Sequence, residues 1–423
     1  MPETRSFAVA AVSGYVTEAW YMESGLVEIE GGVTAPRGFR AAAVPCGLKG
    51  GDAMDLGLLV SDFPAVSAAT FTTNRIKAAP VRVSSEHLRA ADTRGVIINS
   101  GNANACTGST GIQNAKRMAR MVAVQLGVKD RQILVCSTGR IGRDLPIEKI
   151  EGAVPSLVSA LTENGSGMLA RAMMTSDTFQ KEAAVEFSVG PHKIRVGGIA
   201  KGAGMIDPNM ATMLCVVATD ARIAKRDLQK LFSASVEQSF NCITVDGDMS
   251  TNDTAISLAN GQAGNELLRP DHEHFLQFDE ALKSVTRKLA RMIVEDGEGT
   301  SKFVEIHVKG ASTYQDARKV AEAVANSNLV KCSWHGEDPN WGRVMDAIGY
   351  SSAKVREEMI DIFFDGVIAA QNGVASSTPE QTLKEALRHR RFTLTIDLHL
   401  GAAEYKVYTT DLTPDYVRLN MSE

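Results

Sequence analysis

Residues 193–220, KIRVGGIAKGAGMIDPNMATMLCVVATD, decide the fold. Two apolar, β-branched runs, KIRVGGI and ATMLCVVATD, flank a loop of glycine, alanine and an Asp-Pro-Asn turn. Ahead of them AAVEFSV joins KIRVGGI through Gly-Pro-His, which is hairpin spacing. Together they predict neighbouring strands with antiparallel pairs. Thr212 stands at the junction, directly after the turn and at the head of an apolar run.

Outward from this stretch, strand patterns alternate with helical ones. GVIINS (95–100) and QILVCST (132–138) predict strands, and IQNAKRMARMVAVQLG (112–127) predicts a helix with a glycine stop. Residues 145–161 have helical spacing interrupted by a proline, and 225–240 form an amphipathic helix. CITVDGD and TAISLANG predict strands around the acidic loop DGDMSTND. A long helix (271–294) leads to the strand FVEIHVKGA. ARKVAEAVANS is helical, DPNWGR is a turn, and FTLTIDLHLG with AAEYKVYTTDL predicts a terminal hairpin. Strands, helices and hairpins in this mixture predict a mixed α/β sandwich rather than a purely parallel doubly wound sheet.

The 423 residues suggest two or three structural units. A composition of 44% hydrophobic and 22% charged residues is that of an ordinary globular protein. A net charge of −5 with a pI of about 6.0 excludes the basic footprint of a nucleic-acid binder and the basic clusters that hold anionic membrane. No run reaches the ~18 apolar residues of a membrane span. The first thirty residues read as an extension without a secretory or transit pattern, so the expected compartment is the cytoplasm. Six scattered cysteines without a CxxC predict reduced core thiols.

Motifs narrow the chemistry. There is no GxxxxGK[ST], no strand followed by GxGxxG, no GxSxG and no HExxH, and the histidines sit in exposed-looking contexts such as GPHK and LRHRR. DGDMSTND does not follow the EF-hand pattern, so a solvated turn, or carboxylates accepting from backbone N–H groups, is expected. No metal site is predicted. Threonine remains as candidate nucleophile. Its hydroxyl needs a base, and a chain break just before Thr212 would supply one on the same residue, an α-amino group of pKa ~7.7–8.0. The bland alternative makes Thr212 an ordinary strand residue. STGRIG (137–142) offers the Thr138 hydroxyl beside the backbone N–H of Gly139 as oxyanion donors, and MMTSDT (173–178) is a further small polar cluster.

Nine segments in order, GGVTAPRGFRAA, SGNANACTG, CSTGRIGRDLP, MMTSDTFQK, KGAGMIDPNMATML, NCITVDGDMSTNDT, VEDGEGTSKFVEI, DPNWGRV and DLTPDYVRLN, spread over roughly residues 31–420, resemble the ornithine acetyltransferases, also called glutamate N-acetyltransferases, of arginine biosynthesis. The resemblance implies an α-β-β-α sandwich with mixed sheets, cut by itself between Ala211 and Thr212. Its parts would be an extension (1–30), an α chain (31–211) with the oxyanion hole and a β chain (212–423) that starts with the nucleophile, assembled as α2β2. Thr212 would pass acetyl from N2-acetyl-L-ornithine to L-glutamate. Thr138 and Gly139 would form the oxyanion hole, and Thr175, Lys201, Thr212, Glu298 and Asn420 would contact substrate. The family uses no metal and no organic cofactor, and some members also accept acetyl-CoA. Lys201 suits the substrate carboxylate as a point charge and Glu298 suits the ornithine side-chain amine. Ala203 and Asp207 depart from the family pattern. Two other classes stay open: a self-processing threonine amidohydrolase or aminopeptidase, and a non-catalytic homologue.

Overall fold

The computed structural model of the chain describes residues 25–207 and 213–421. The junction Ala211–Thr212 lies outside the described residues, as does most of the N-terminal extension.

Fifteen strands are described, in two sheets. The first holds β1 (Val27–Glu28), β2 (Phe39–Val44), β3 (Leu56–Phe71), β4 (Thr93–Asn99), β5 (Ile133–Ser137), β6 (Lys181–Val189), β7 (His192–Lys201), β8 (Leu214–Thr219) and β9 (Thr254–Ala259). Its order is β1-β6-β7-β8-β9-β3-β4-β5, with β2 also on β3. The 16-residue β3 joins two layers: Leu56–Val60 pairs with β2 and β4, and after a register shift Val66–Phe71 pairs with β9.

The two layers share one apolar core. Ala41, Leu59, Ile98 and Cys136 from one side meet Ile199, Leu214, Val216 and Ile256 from the other. Helices cover both outer faces because each carries an apolar stripe at helical spacing. On one face lie α1 (Ala79–Ala90), α2 (Gly108–Leu126) and α3 (Ile147–Ser159), and α4 (Ser166–Met173) sends Leu169, Ala170 and Met173 into the shared core. On the other face lie α5 (Lys225–Glu237) and α6 (Phe275–Glu295). The expected α-β-β-α sandwich is present.

The sandwich does not take up the whole chain. β10 (Phe303–Ala311), β11 (Asp361–Phe364), β12 (Val367–Gln371), β13 (Val374–Ala375), β14 (Arg391–Asp397) and β15 (Ala403–Thr410) form a second sheet in the order β13-β12-β11-β14-β10-β15. It packs its own core against α7 (Tyr314–Ala325), α8 (Asn328–His335), α9 (Trp341–Tyr350) and α10 (Glu380–Arg388), and α11 (Pro414–Asn420) ends the described chain.

Several sequence expectations are corrected here. The terminal hairpin does not form, because β10 lies between β14 (parallel) and β15 (antiparallel), and residues 398–402 cross over its end through Leu398 N–H to Lys309 O (3.0 Å) and Leu400 N–H to Gly310 O (2.6 Å). CITVDGD makes only a short 3-10 turn (Phe240–Cys242) and a single bridge from Ile243 to Tyr408. Pro155 sits inside α3 without breaking it. Asn340 in DPNWGR caps α9, its side chain accepting from Arg343 N–H. Cys136 and Cys215 are core thiols, whereas Cys106 and Cys332 are exposed. His87 is buried, with Nδ1 2.8 Å from Ile133 O.

Trp334 anchors the second core, fully buried and edge-on to Phe392 at 5.9 Å between ring centres. Its Nε1 has no hydrogen-bond partner among the described residues. Trp334→Ala should therefore lower the unfolding free energy by ~3–5 kcal/mol. Trp334→Phe should cost clearly less, since it keeps a ring and removes an unsatisfied donor. Urea unfolding of both variants checks the ranking.

Candidate active site

Three elements from different parts of the chain converge at one end of the sandwich interior. β7 ends in Lys201, paired across to Leu214 at the start of β8. β5 ends in Ser137, and Thr138 follows. The loop after α4 carries Thr175.

Lys201 ties them together. Its ammonium donates to Thr175 Oγ1 (2.7 Å) and to Thr138 Oγ1 (3.4 Å) and lies 3.9 Å from Asp177 Oδ2. It is 2% exposed. Burial lowers its pKa, Lys181 adds to that, and the carboxylates of Asp177, Glu298 and Asp253 oppose it. Thr138 N–H is taken by Asn99 O (3.0 Å), so the residue offers its hydroxyl. Since Lys201 donates to the hydroxyl oxygen, the hydroxyl hydrogen is left to donate elsewhere. Gly139 follows at φ +125°, and a Cβ there would lie 2.6 Å from Asn102 N and 2.8 Å from Gly101 Cα. Backbone has to pass backbone at this point, so glycine is required.

Glu298 and Asn420 pair beside KGAG. Glu298 N–H donates to Ala203 O (3.0 Å), which docks DGEG on KGAG, and Asn420 Nδ2 donates to Glu298 Oε2 (2.8 Å). Asp411 holds the base of both segments: it accepts from Ser301 N–H and Lys302 N–H, each at 2.9 Å, and from the Thr300 and Ser301 hydroxyls. α11 is seated by Thr413 Oγ1 donating to Gly299 O (2.7 Å).

The acidic loop DGDMSTND works as backbone acceptors, one of the two expected roles. Asp246 accepts from Met205 N–H (2.6 Å) and Ile206 N–H (2.8 Å), before the Ala211–Thr212 junction. Asp253 accepts from Met213 N–H (3.2 Å), just after it. Both carboxyls are pushed up by burial, Asp253 strongly. Burial also raises Asp207 to about 7, beside Asn326 Nδ2 at 3.2 Å.

Among the residues picked from sequence, Thr138, Gly139, Thr175 and Lys201 come together, and Glu298 pairs with Asn420. Thr212 lies outside the described residues. Sequence reasoning missed Asp177, Lys181 and Asp296, a fully buried cluster behind Lys201. Lys181 Nζ lies 2.7 Å from Asp177 Oδ1 and 2.5 Å from Asp296 Oδ2. The available signal was their place inside MMTSDTFQK and VEDGEG. Among the described residues no group of three or more His, Cys, Asp or Glu side chains is placed to hold a metal.

The sequence model of the ArgJ family matches residues 40–422. The chain belongs to the ArgJ family. Its relatives include the arginine biosynthesis bifunctional protein ArgJ of Geobacter sulfurreducens, 48% identical over 385 residues, covering 91% of this chain and 98% of the relative. The protein of the same name from Bacillus subtilis is 41% identical over 401 residues, 95% and 98% of the two chains. Two solved structures are each 39% identical. The bifunctional ArgJ of Bacillus halodurans aligns with a TM-score of 0.48 over 49% of this chain and 98% of that one. The ornithine acetyltransferase of Mycobacterium tuberculosis, complexed with ornithine, aligns with a TM-score of 0.41 over 43% and 98%.

Within this ArgJ-family site, Gly299 has φ +64° and a Cβ there would lie 2.5 Å from Tyr416 N. Gly299→Ala should therefore unseat α11 and with it Asn420. The expected outcome is a raised KM for the amino-acid substrate with a smaller change in kcat, read from steady-state kinetics on a variant whose circular dichroism matches the parent.

Proposed function

We propose that this chain is a glutamate N-acetyltransferase that moves acetyl from N2-acetyl-L-ornithine to L-glutamate through an acetyl-Thr212 intermediate. The observation that carries the reading is the Lys201-centred convergence of the Thr138 and Thr175 hydroxyls at the edge of the sandwich, in a chain whose relatives are arginine-biosynthesis proteins. The word "bifunctional" in those relatives' names supports acetyl-CoA as a second donor. Among the described residues no helix is long and apolar enough to cross a membrane. A cytoplasmic α2β2 assembly completes the proposal.

In this scheme Thr212 Oγ1 first attacks the Ala211 carbonyl, the Ala211–Thr212 C–N bond breaks with the hydroxyl proton passing to the nitrogen, and water hydrolyses the resulting ester to free both the Ala211 carboxylate and the Thr212 hydroxyl. The freed α-amino group then takes the Thr212 hydroxyl proton, and the oxygen attacks the acetyl carbonyl. Thr138 O–H and Gly139 N–H donate to the oxyanion. The tetrahedral adduct collapses, the amino group returns its proton to the leaving nitrogen, and ornithine departs. The amine of glutamate attacks the ester in the reverse sense, so donor and acceptor share one pocket. Lys201 meets the α-carboxylate that both carry. Glu298 meets the cationic amine of ornithine, and Asn420 holds Glu298 in place.

Mass spectrometry of the purified protein should show two chains, 1–211 and 212–423. Thr212→Ala should leave one uncut, inactive chain. Intact wild-type protein after native incubation would defeat the proposal, and ornithine release that does not require glutamate would point to a hydrolase instead. Thr138→Ala should fold but lose roughly 10²–10³ in kcat, the ~2.7–4 kcal/mol of one oxyanion donor. Full turnover in that variant would remove Thr138 from the oxyanion hole.

A further inference from the structure

Lys201 can pair with a substrate carboxylate only while it keeps its proton, and its position works against that. It is almost completely buried, and a second buried ammonium, Lys181, shares its carboxylate neighbour. Three donors bond the Asp177 carboxylate and a fourth group faces it. Oδ1 accepts from Lys181 Nζ and Gly202 N–H, both at 2.7 Å, and Oδ2 accepts from Thr175 N–H at 2.9 Å and faces Lys201 Nζ at 3.9 Å. The two backbone bonds hold Thr175 and Gly202, which follows Lys201, and the ion-pair contact reaches Lys201 itself.

We propose that Asp177 is a positioning residue for acetyl transfer, keeping the buried Lys201 charged and fixing the Thr175 and Gly202 backbones around the substrate carboxylate. This rests on the transferase reading of the same site. Lys181 is the counterweight. Bridging Asp177 to Asp296, it keeps the cluster from carrying an unpaired buried carboxylate, which would be costly. Asp296 also accepts from Thr178 N–H (3.0 Å) and the Thr178 hydroxyl, so the cluster spans the elements that bring Thr175 and Glu298 to the site.

The charged groups acting on Lys201 are Asp177, Lys181, Glu298 and Asp253, with Lys49 also nearby. Asp177 stays ionised, its pKa down to about 2: burial would raise it, but Lys201, Lys181 and the Gly202 N–H outweigh burial. Removing its charge leaves Lys201 with burial, Lys181 and Lys49 against it, and Glu298 and the largely protonated Asp253 as the carboxyl groups in its favour. The ammonium then loses its proton at lower pH, and affinity for a carboxylate substrate falls as pH rises through that value.

Asp177→Asn keeps the shape and one acceptor oxygen. Its kcat/KM against pH should show the alkaline limb moved down by about 1–3 pH units, the size of shift a neighbouring opposite charge produces. The change should lie in KM, and kcat on the acid side of the limb should stay near the parent value. Lys181→Met should move the limb upward, since a like charge is removed. Calorimetric binding of N-acetyl-L-glutamate across the same pH range reads the limb without turnover. A folded Asp177→Asn protein whose limb overlays the parent's would overturn the proposal. If that variant does not fold, a Lys181→Met limb that stays put or moves down does the same. Parent protein that binds N-acetyl-L-glutamate with the expected limb but shows no glutamate-dependent ornithine release would sink the transferase reading alone. Parent protein that binds no acylamino acid at any pH sinks both.

Discussion

Strand β8 is held on both sides, antiparallel to β7 from Lys201↔Leu214 to Val196↔Thr219 and parallel to β9 from Leu214↔Thr254 to Thr219↔Ala259. Most of the site depends on this double pairing. It fixes Met213, the residue after the expected nucleophile, between Asp253 Oδ1 and Thr254 N–H. It fixes Lys201 opposite Leu214, and so sets how far the ammonium reaches toward Thr138 in the facing layer. Six cross-strand pairs on each side hold β8 along its whole length.

The second sheet supports the site from behind. Its β15 leads directly into Asp411, which gathers the 300–302 backbone and so places Glu298, and then into α11, which carries Asn420. Lys331 of α8 is fully buried and donates to Thr409 Oγ1 (3.0 Å) and Thr410 O (2.5 Å), and burial lowers its pKa to about 7. Glu298 and Asn420 are thus held by a body with its own core, while Thr138 and Lys201 are held by the sandwich. The two sides of the site are thus held by two separate cores rather than by one.

Much of the fold was legible because local chemistry and global structure agree. The glycine stop after α2, the Gly-Pro-His hairpin between β6 and β7 and the amphipathic spacing of α5 all state their structure within a dozen residues. Legibility failed where partners are distant. FTLTIDL and AAEYKVYTT sit close in sequence and suggest a hairpin, yet β10, about ninety residues earlier, separates them. β3 was not singled out, because its sixteen residues change partners halfway and no local pattern announces the change. Of the residues the structure brings together, motif reading pointed to Thr138 and Gly139, and family resemblance supplied Lys201, Glu298 and Asn420; Thr212 lies outside the described residues. Lys181 and Asp296 are 115 residues apart and each reads as an ordinary charge, so only the fold shows that they meet away from water.

The buried cluster divides unevenly between the two stretches that flank Ala211–Thr212. Of the buried charges about Lys201, Asp177, Lys181 and Lys201 itself lie before it, a net positive charge, while Asp253 and Asp296 lie after it. Two polypeptides made by a cut there would carry complementary charges on the surfaces that face each other. Such halves, unfolded apart and then mixed, would find one another faster in dilute buffer than in concentrated salt, because long-range attraction between them is screened by ions. Once joined, the same charges lie out of reach of those ions, so salt that slows the pairing would do little to undo it.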